Sequence, residues 1–90
     1  MWTIKYTTQF KKDLKRYQNQ PKKIDNLMKV MESLHNTGRA PTSCSPHMLK
    51  GKYSGFMECH VENDFLLIWL DETNNNIVLT RLGSHSELFR

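Results

Sequence analysis

Residues 65–70, Phe-Leu-Leu-Ile-Trp-Leu, constrain this chain more than any other stretch. Successive side chains of a strand point to opposite faces, so a strand with one wet face alternates apolar with polar residues. A run without alternation predicts a strand covered on both sides, in the middle of a sheet. The run is also far too short to cross a bilayer. Flanking segments do alternate. Met57, Cys59 and Val61 interleave with Phe56, Glu58 and His60, and residues 77–82 alternate again after the polar stretch 71–76. Short polar connections between such segments predict hairpins, hence a three-strand antiparallel meander.

The first half reads differently. Trp2, Ile4 and Tyr6 alternate with Thr3 and Lys5, which predicts a strand. Phe10, Leu14 and Tyr17 then fall at helical spacing, with Thr7 or Thr8 as N-cap and Pro21 as the end of the helix. A second helix is expected from about Lys22, with Ile24, Leu27, Met28, Met31 and Leu34 along one face and Gly38 as its stop. Residues 36–46, rich in Thr, Ser, Gly and Pro, read as loop. The expected fold class is therefore α+β: an N-terminal strand, two helices, then the meander, with the helices on one sheet face. The place of the first strand in the sheet stays open. Ninety residues hold one core, so 1–90 is expected to be a single domain. The opening residues lack the charged-then-apolar plan of a secretory signal, so the expected location is cytoplasmic, with no membrane involvement. Cys44 and Cys59 form no C-x-x-C pair and are expected to be free thiols.

The faces of the meander decide what it can do. With Met57, Cys59 and Val61 toward the helices, Glu58 and His60 point away. On the last strand Val78, Thr80 and Leu82 are expected to face the helices, which leaves Arg81 beside His60. The hairpin admits two frames. A three-residue connection sets His60 opposite Asp64 on one face, whereas a turn at Glu62-Asn63 pairs Val61 with Asp64. By a longer loop or a bulge, both His60 and Asp64 are expected to reach one cleft.

His47, His60 and His85, with Asp64, Arg81 and Phe89, all lie in the second half. That set suits metal-free RNA cleavage. A ribose 2′-hydroxyl must lose a proton as it attacks phosphorus, and the leaving 5′-oxygen must gain one. Groups titrating near neutrality do both best. A guanidinium can hold the charge that develops on the phosphorane, and an aromatic ring can stack on a splayed base. Singly, each residue has a duller explanation: a loop histidine, a surface ion pair, turn chemistry at Asp64. Their joint placement shifts the balance. A zinc shell of Cys44, His47, Cys59 and His60 is disfavoured, because adjacent strand residues such as Cys59 and His60 point to opposite faces. No metal and no cofactor are expected. The net charge of +4 is concentrated on Lys11, Lys12, Lys15, Arg16, Lys22 and Lys23, with Lys50 and Lys52 as a second pair. Lys11, Lys12, Lys15, Arg16, Lys50 and Lys52 are candidates for phosphate contacts.

The motifs H-x-L-x-G at residues 47–51, E-C-H-V-x-x-D at 58–64 and R-x-G-S-H-x-x-L-F at 81–89 resemble the RelE superfamily of bacterial type II toxins, in its YafQ branch. The helix start FKKDLKR fits as well. The resemblance implies a ribosome-dependent mRNA endonuclease neutralised by a cognate antitoxin, with ribosome and mRNA as its other partners. It marks His47, His60, Asp64, Arg81, His85 and Phe89 as active-site positions. The expected roles are His85 as general acid, Asp64 or His60 as base, Arg81 on the phosphorane, His47 orienting the phosphate and Phe89 stacking on a base. One departure stands out: Phe65 takes the place of a frequent tryptophan, which removes an indole N–H that could contact RNA. The competing expectation is a non-catalytic basic module that binds ribosomal RNA or a partner protein. It needs the lysines but not the histidines.

Overall fold

The computed structural model describes residues 1–89. Five strands form one sheet in the order β1 (Thr3–Tyr6), β5 (Asn76–Gly83), β4 (Phe65–Glu72), β3 (Met57–Glu62), β2 (His47–Met48). The apolar run is thus the middle strand. Phe65, Leu67 and Trp69 enter the core under the helices, while Leu66 and Ile68 enter a second cluster on the other face. The meander β3–β4–β5 is antiparallel. The N-terminal strand joins it in parallel beside β5, with Ile4 opposite Ile77. The short strand β2, just past the expected loop and not foreseen from the sequence, extends the other edge by pairing His47 with Glu58.

Helices α1 (Thr8–Lys15) and α2 (Pro21–Thr37) cover one face. Thr7 is the N-cap of α1, its hydroxyl accepting from the Phe10 amide at 2.9 Å. Pro21 begins α2 rather than ending α1, because the first helical position has no intrahelical N–H bond to lose. The first helix stops earlier, and Tyr17 lies in the turn beyond it, its ring tilted on Phe65 at 4.7 Å. Gly38 ends α2 with φ 73°, a left-handed position where an added Cβ would run into the Trp2 indole.

Two bulges set the faces of the sheet. In β5, Leu79 pairs with Trp69 and Arg81 with Ile68, so Thr80 is one residue too many. Ile77 and Leu79 face the helices before the bulge, and Leu82 does so after it. The expectation that Val78 and Thr80 face the helices is therefore corrected. Arg81 nevertheless stands on the opposite face, because the extra residue inverts the alternation. In the β3–β4 hairpin neither expected frame occurs. The turn is Asn63-Asp64, with Asp64 at φ 52°, Glu62 pairs with Phe65, and Val61 is the extra residue. Val61 goes into the core and His60 stays exposed opposite Leu66.

The face away from α1 and α2 is not wholly open, as the sequence led one to expect. Tyr53, from the 3₁₀ turn Gly51–Tyr53, and Leu88, from the C-terminal helix α3 (His85–Leu88), pack on Leu66 and Ile68 with Leu49, Phe56 and Phe89 around them. This cluster roofs part of the sheet and brings the chain's last residues beside it.

Candidate active site

Strand register lays the side chains out in rows. His47, Glu58, Ile68 and Arg81 are successive partners across β2, β3, β4 and β5, and His60, Leu66 and Gly83 form the next row. Partners across a ladder share a face. His47, His60 and Arg81 are thus gathered on one surface. Glu58 and Arg81 stand two strand spacings apart, on the order of 10 Å.

At the β2 end, the His47 Nδ1 faces the Ser45 carbonyl at 2.9 Å and its Nε2 faces the Glu58 carboxylate at 3.2 Å. With only an acceptor before it, Nδ1 carries hydrogen. The His47 and His60 rings lie 6.3 Å apart, centroid to centroid. Glu58 is 5% exposed, and its Oε2 has no hydrogen-bond partner. Alternation along β3 already placed it beside His60, yet the sequence offered no reason to single it out.

At the β5 end, Arg81 is held from behind. Its Nε donates to Asp13 Oδ2 at 2.8 Å and its Nη1 to the Tyr53 hydroxyl at 3.2 Å. Those bonds, the ones donated to Asp13 foremost, raise its pKa further and leave the guanidinium charged. Phe89 meets the Tyr53 ring edge-on at 5.6 Å, and the His85 ring lies against Phe89 at 4.8 Å. Asp64 reaches across from the hairpin, its carboxylate accepting from the His85 backbone N–H at 2.8 Å. Asp64, Arg81, His85 and Phe89 are therefore linked through a continuous set of contacts. His60 adjoins that set through its cross-strand partner Leu66, which packs with Leu88 and Tyr53.

Helix α3 is too short to hold itself in place, and Glu87 fixes it. Ser84 and Glu87 form a reciprocal capping box. The Glu87 carboxylate also accepts from the Tyr17 hydroxyl and pairs with Arg16 at 3.2 Å. The Ser84 backbone N–H, then the Tyr17 hydroxyl, hold its pKa down at about 2. Burial, then Glu87, push the Tyr17 hydroxyl up to about 12.

The lysines divide. Lys11, Lys12, Lys15 and Arg16 project from the exposed side of α1, outside the contacts just described, though Arg16 ties to Glu87. Lys50 is exposed, and Lys52 lies with its Nζ 5.5 Å from the Tyr53 ring centre, at the rim of the site. Phe65 is 1% exposed, so it offers no surface to RNA, and the question about a lost indole donor falls away. Among the described residues, no three His, Cys, Asp or Glu side chains converge as a metal shell. The two concavities of about 420 Å³ lie elsewhere, one between Tyr6, α1 and α2 and the other beside Trp69 and Arg39. The histidines and Arg81 share a face rather than an enclosed cavity. Such a surface suits an extended polymer better than a small molecule, which needs concave burial.

Comparison with known proteins places the chain in a family. The family model described as "Bacterial toxin of type II toxin-antitoxin system, YafQ" matches residues 2–90. The Escherichia coli K12 "mRNA interferase toxin YafQ" is 34% identical over 87 residues, 96% of this chain and 94% of that protein. The crystal structure of YafQ from E. coli BL21(DE3) superposes with a TM-score of 0.86 at 32% identity and full coverage of both chains. The toxin in the E. coli DinJ-YafQ toxin-antitoxin complex gives 0.84 at 32% identity, over 99% of this chain and 98% of that one. By sequence along nearly its whole length and by fold, this chain belongs to the YafQ family of toxins of bacterial type II toxin-antitoxin systems.

Proposed function

We propose that this chain is an endoribonuclease, an mRNA interferase that cuts messages on the ribosome without a metal ion. The observation that carries this reading is the sharing of one exposed face by His47, His60 and Arg81, with Asp64, His85 and Phe89 at its end. In this reading a message lies along the face with its scissile phosphate on Arg81. The Arg81 side chain is 20% exposed, which leaves it room to reach phosphate oxygens while one edge of its guanidinium stays tied to Asp13. It stabilises the phosphorane as the 2′-hydroxyl attacks. His85, exposed on α3, gives its proton to the leaving 5′-oxygen, and Phe89 offers its ring for stacking. His60 is the better placed base. One oxygen of Asp64 is engaged by the His85 amide, so Asp64 sets the position of the acid instead. His47, steadied by Ser45 and Glu58, orients the phosphate. The products are a 2′,3′-cyclic phosphate and a 5′-hydroxyl.

An enzyme with this activity works where ribosomes are, in the cytoplasm, and needs a restraint. A relative has been solved bound to its antitoxin. For this basic chain the fitting antitoxin is acidic, disordered alone and folded on binding, with the histidines left partly accessible. The Lys11, Lys12, Lys15 and Arg16 side of α1 and the Lys50–Lys52 rim supply non-specific attraction to ribosomal RNA and message.

The test is cleavage of a translated message with purified ribosomes, compared for the wild type and His85→Ala. Cleavage only with ribosomes, reduced roughly a hundredfold or more by the substitution, is the expected result. Ribosome binding without any cleavage would overturn the endonuclease reading in favour of a binding module.

A further inference from the structure

We propose that Asp13 is a positioning residue for the RNA-cleavage reaction, presenting the Arg81 guanidinium to the scissile phosphate in one fixed orientation. The inference rests on the endonuclease reading above. Asp13 sits among lysines in the sequence K-K-D-L-K, where an acidic residue reads as part of a solvated charged face. It is instead 0% exposed. Its spacing explains this: Asp13 follows Phe10 by three within α1, so it shares that residue's inward direction. A buried carboxylate is costly unless its oxygens are satisfied. Here they are. Gln9 Nε2 donates at 3.1 Å, Arg81 Nε at 2.8 Å, Arg81 Nη2 at 3.4 Å and the Leu82 backbone N–H at 3.0 Å.

The Leu82 contact matters because it ties the carboxylate to the strand that carries Arg81. Strand β1 stops pairing at Leu79, and beyond it α1 takes over the free edge of β5. The Thr7 N–H donates to the Leu79 carbonyl, the Thr7 hydroxyl to the Thr80 carbonyl, and the Leu82 N–H to Asp13. The bulge at Thr80 turns Arg81 outward at this point, and Asp13 meets it from behind. A guanidinium has five N–H bonds. Asp13 takes one on Nε and one on Nη2, and Tyr53 takes one on Nη1. One N–H remains on each terminal nitrogen, the pair needed to hold two phosphate oxygens. Without Asp13, a flexible arginine would have to order itself during the reaction, which is the disadvantage that preorganisation removes.

A merely structural ion pair predicts something different. Asp13→Asn preserves shape and can keep the one oxygen that serves both the Leu82 N–H and Arg81 Nε, but it removes the charge and sets an NH2 group against Arg81 Nη2, which can only repel it. If Asp13 positions Arg81, cleavage of a ribosome-bound message should lose about tenfold or more in kcat with KM little changed. In an Arg81→Lys background, which cannot make the side-on pair, adding Asp13→Asn should cost less than about twofold. An equal loss in both backgrounds, or a loss no larger than the unfolded fraction, would overturn the proposal. A second measurement needs neither a variant nor cleavage. In the wild-type protein the Arg81 Nε–H should give a distinct NMR signal that exchanges far more slowly than that of an exposed arginine, and Asp13→Asn, which leaves at most a neutral acceptor there, should speed that exchange markedly while the amide spectrum stays dispersed. An Arg81 Nε–H that exchanges like a free one would refute the constraint itself. If the wild type holds its Arg81 Nε–H but cleaves no message, the endonuclease reading fails and the constraint stands.

Discussion

The two faces of the sheet are built on opposite terms. Toward α1 and α2, Cys59, Phe65, Leu67, Trp69, Ile77, Leu79 and Leu82 meet Phe10, Leu27, Val30 and Leu34 in a sealed apolar layer. Toward the other side a thin cluster around Tyr53, Leu66, Ile68 and Leu88 shares space with His47, Glu58, His60 and Arg81. The first face holds the fold chiefly by burial, with the Trp69 indole nitrogen left unpartnered within it. The second leaves a buried carboxylate oxygen without a partner and keeps three imidazoles at the surface. Asp13 is the exception that joins the faces, because it is anchored on the helix side and acts on the other.

Substitutions should separate the two faces. The largest effect is expected at the junction. Arg81→Ala strands a fully buried Asp13, which should cost about 3–5 kcal/mol in a denaturant titration and remove the phosphorane clamp as well. Next comes the helix side: Leu79→Ala, at a fully buried position, should lower stability by about 2–5 kcal/mol. Its activity per folded molecule should stay near the parental value, measured under conditions where the variant is folded.

His85→Ala should do the reverse. It should lower cleavage by roughly a hundredfold or more, about 2.7 kcal/mol, with thermal stability changed little because His85 is exposed. A large stability loss there would erase the distinction between the faces.

The acid limb gives a smaller effect with a definite sign. Glu87 has an ordinary carboxylate value near 4.5 when unfolded and about 2 when folded, so folding favours its ionised form. Its contribution is fully present above about pH 4.5 and is lost as pH falls from there through about 2. Glu87→Gln should flatten the fall in melting temperature over that window and loosen α3. The smallest effect belongs to the surface. Neutralising Lys11, Lys12 and Lys15 together should weaken ribosome association most at low salt and leave single-turnover cleavage nearly unchanged, which a salt titration of binding would show.

These contrasts bear on what a sequence can disclose. Residues 65–70 announced a central strand because burial on both sides leaves no alternation, and Thr7 and Gly38 marked helix ends through their own backbone chemistry. The motif residues His47, His60, Arg81 and His85 were legible through the family pattern. The bulges at Val61 and Thr80 were not, since an extra residue shows only against a partner strand whose register is known. That is why Arg81 was assigned the right face on an alternation that fails at Val78 and Thr80. Strand β2 and helix α3 escaped notice because two and four residues carry no periodicity, and both are held by distant contacts such as those of Glu58 and Glu87. Asp13 was hidden by its neighbours. A carboxylate amid lysines signals solvent until the helix phase set by Phe10 is read through it.

The central claim is that the face bearing His47, His60, Arg81 and His85 cleaves RNA. Its most direct test is the chemistry of the ends left on a ribosome-bound message treated with the purified protein. The account predicts a 2′,3′-cyclic phosphate upstream and a 5′-hydroxyl downstream, formed without added metal and nearly absent with His85→Ala. Cleavage leaving a 5′-phosphate, or unchanged cleavage by His85→Ala, would contradict it.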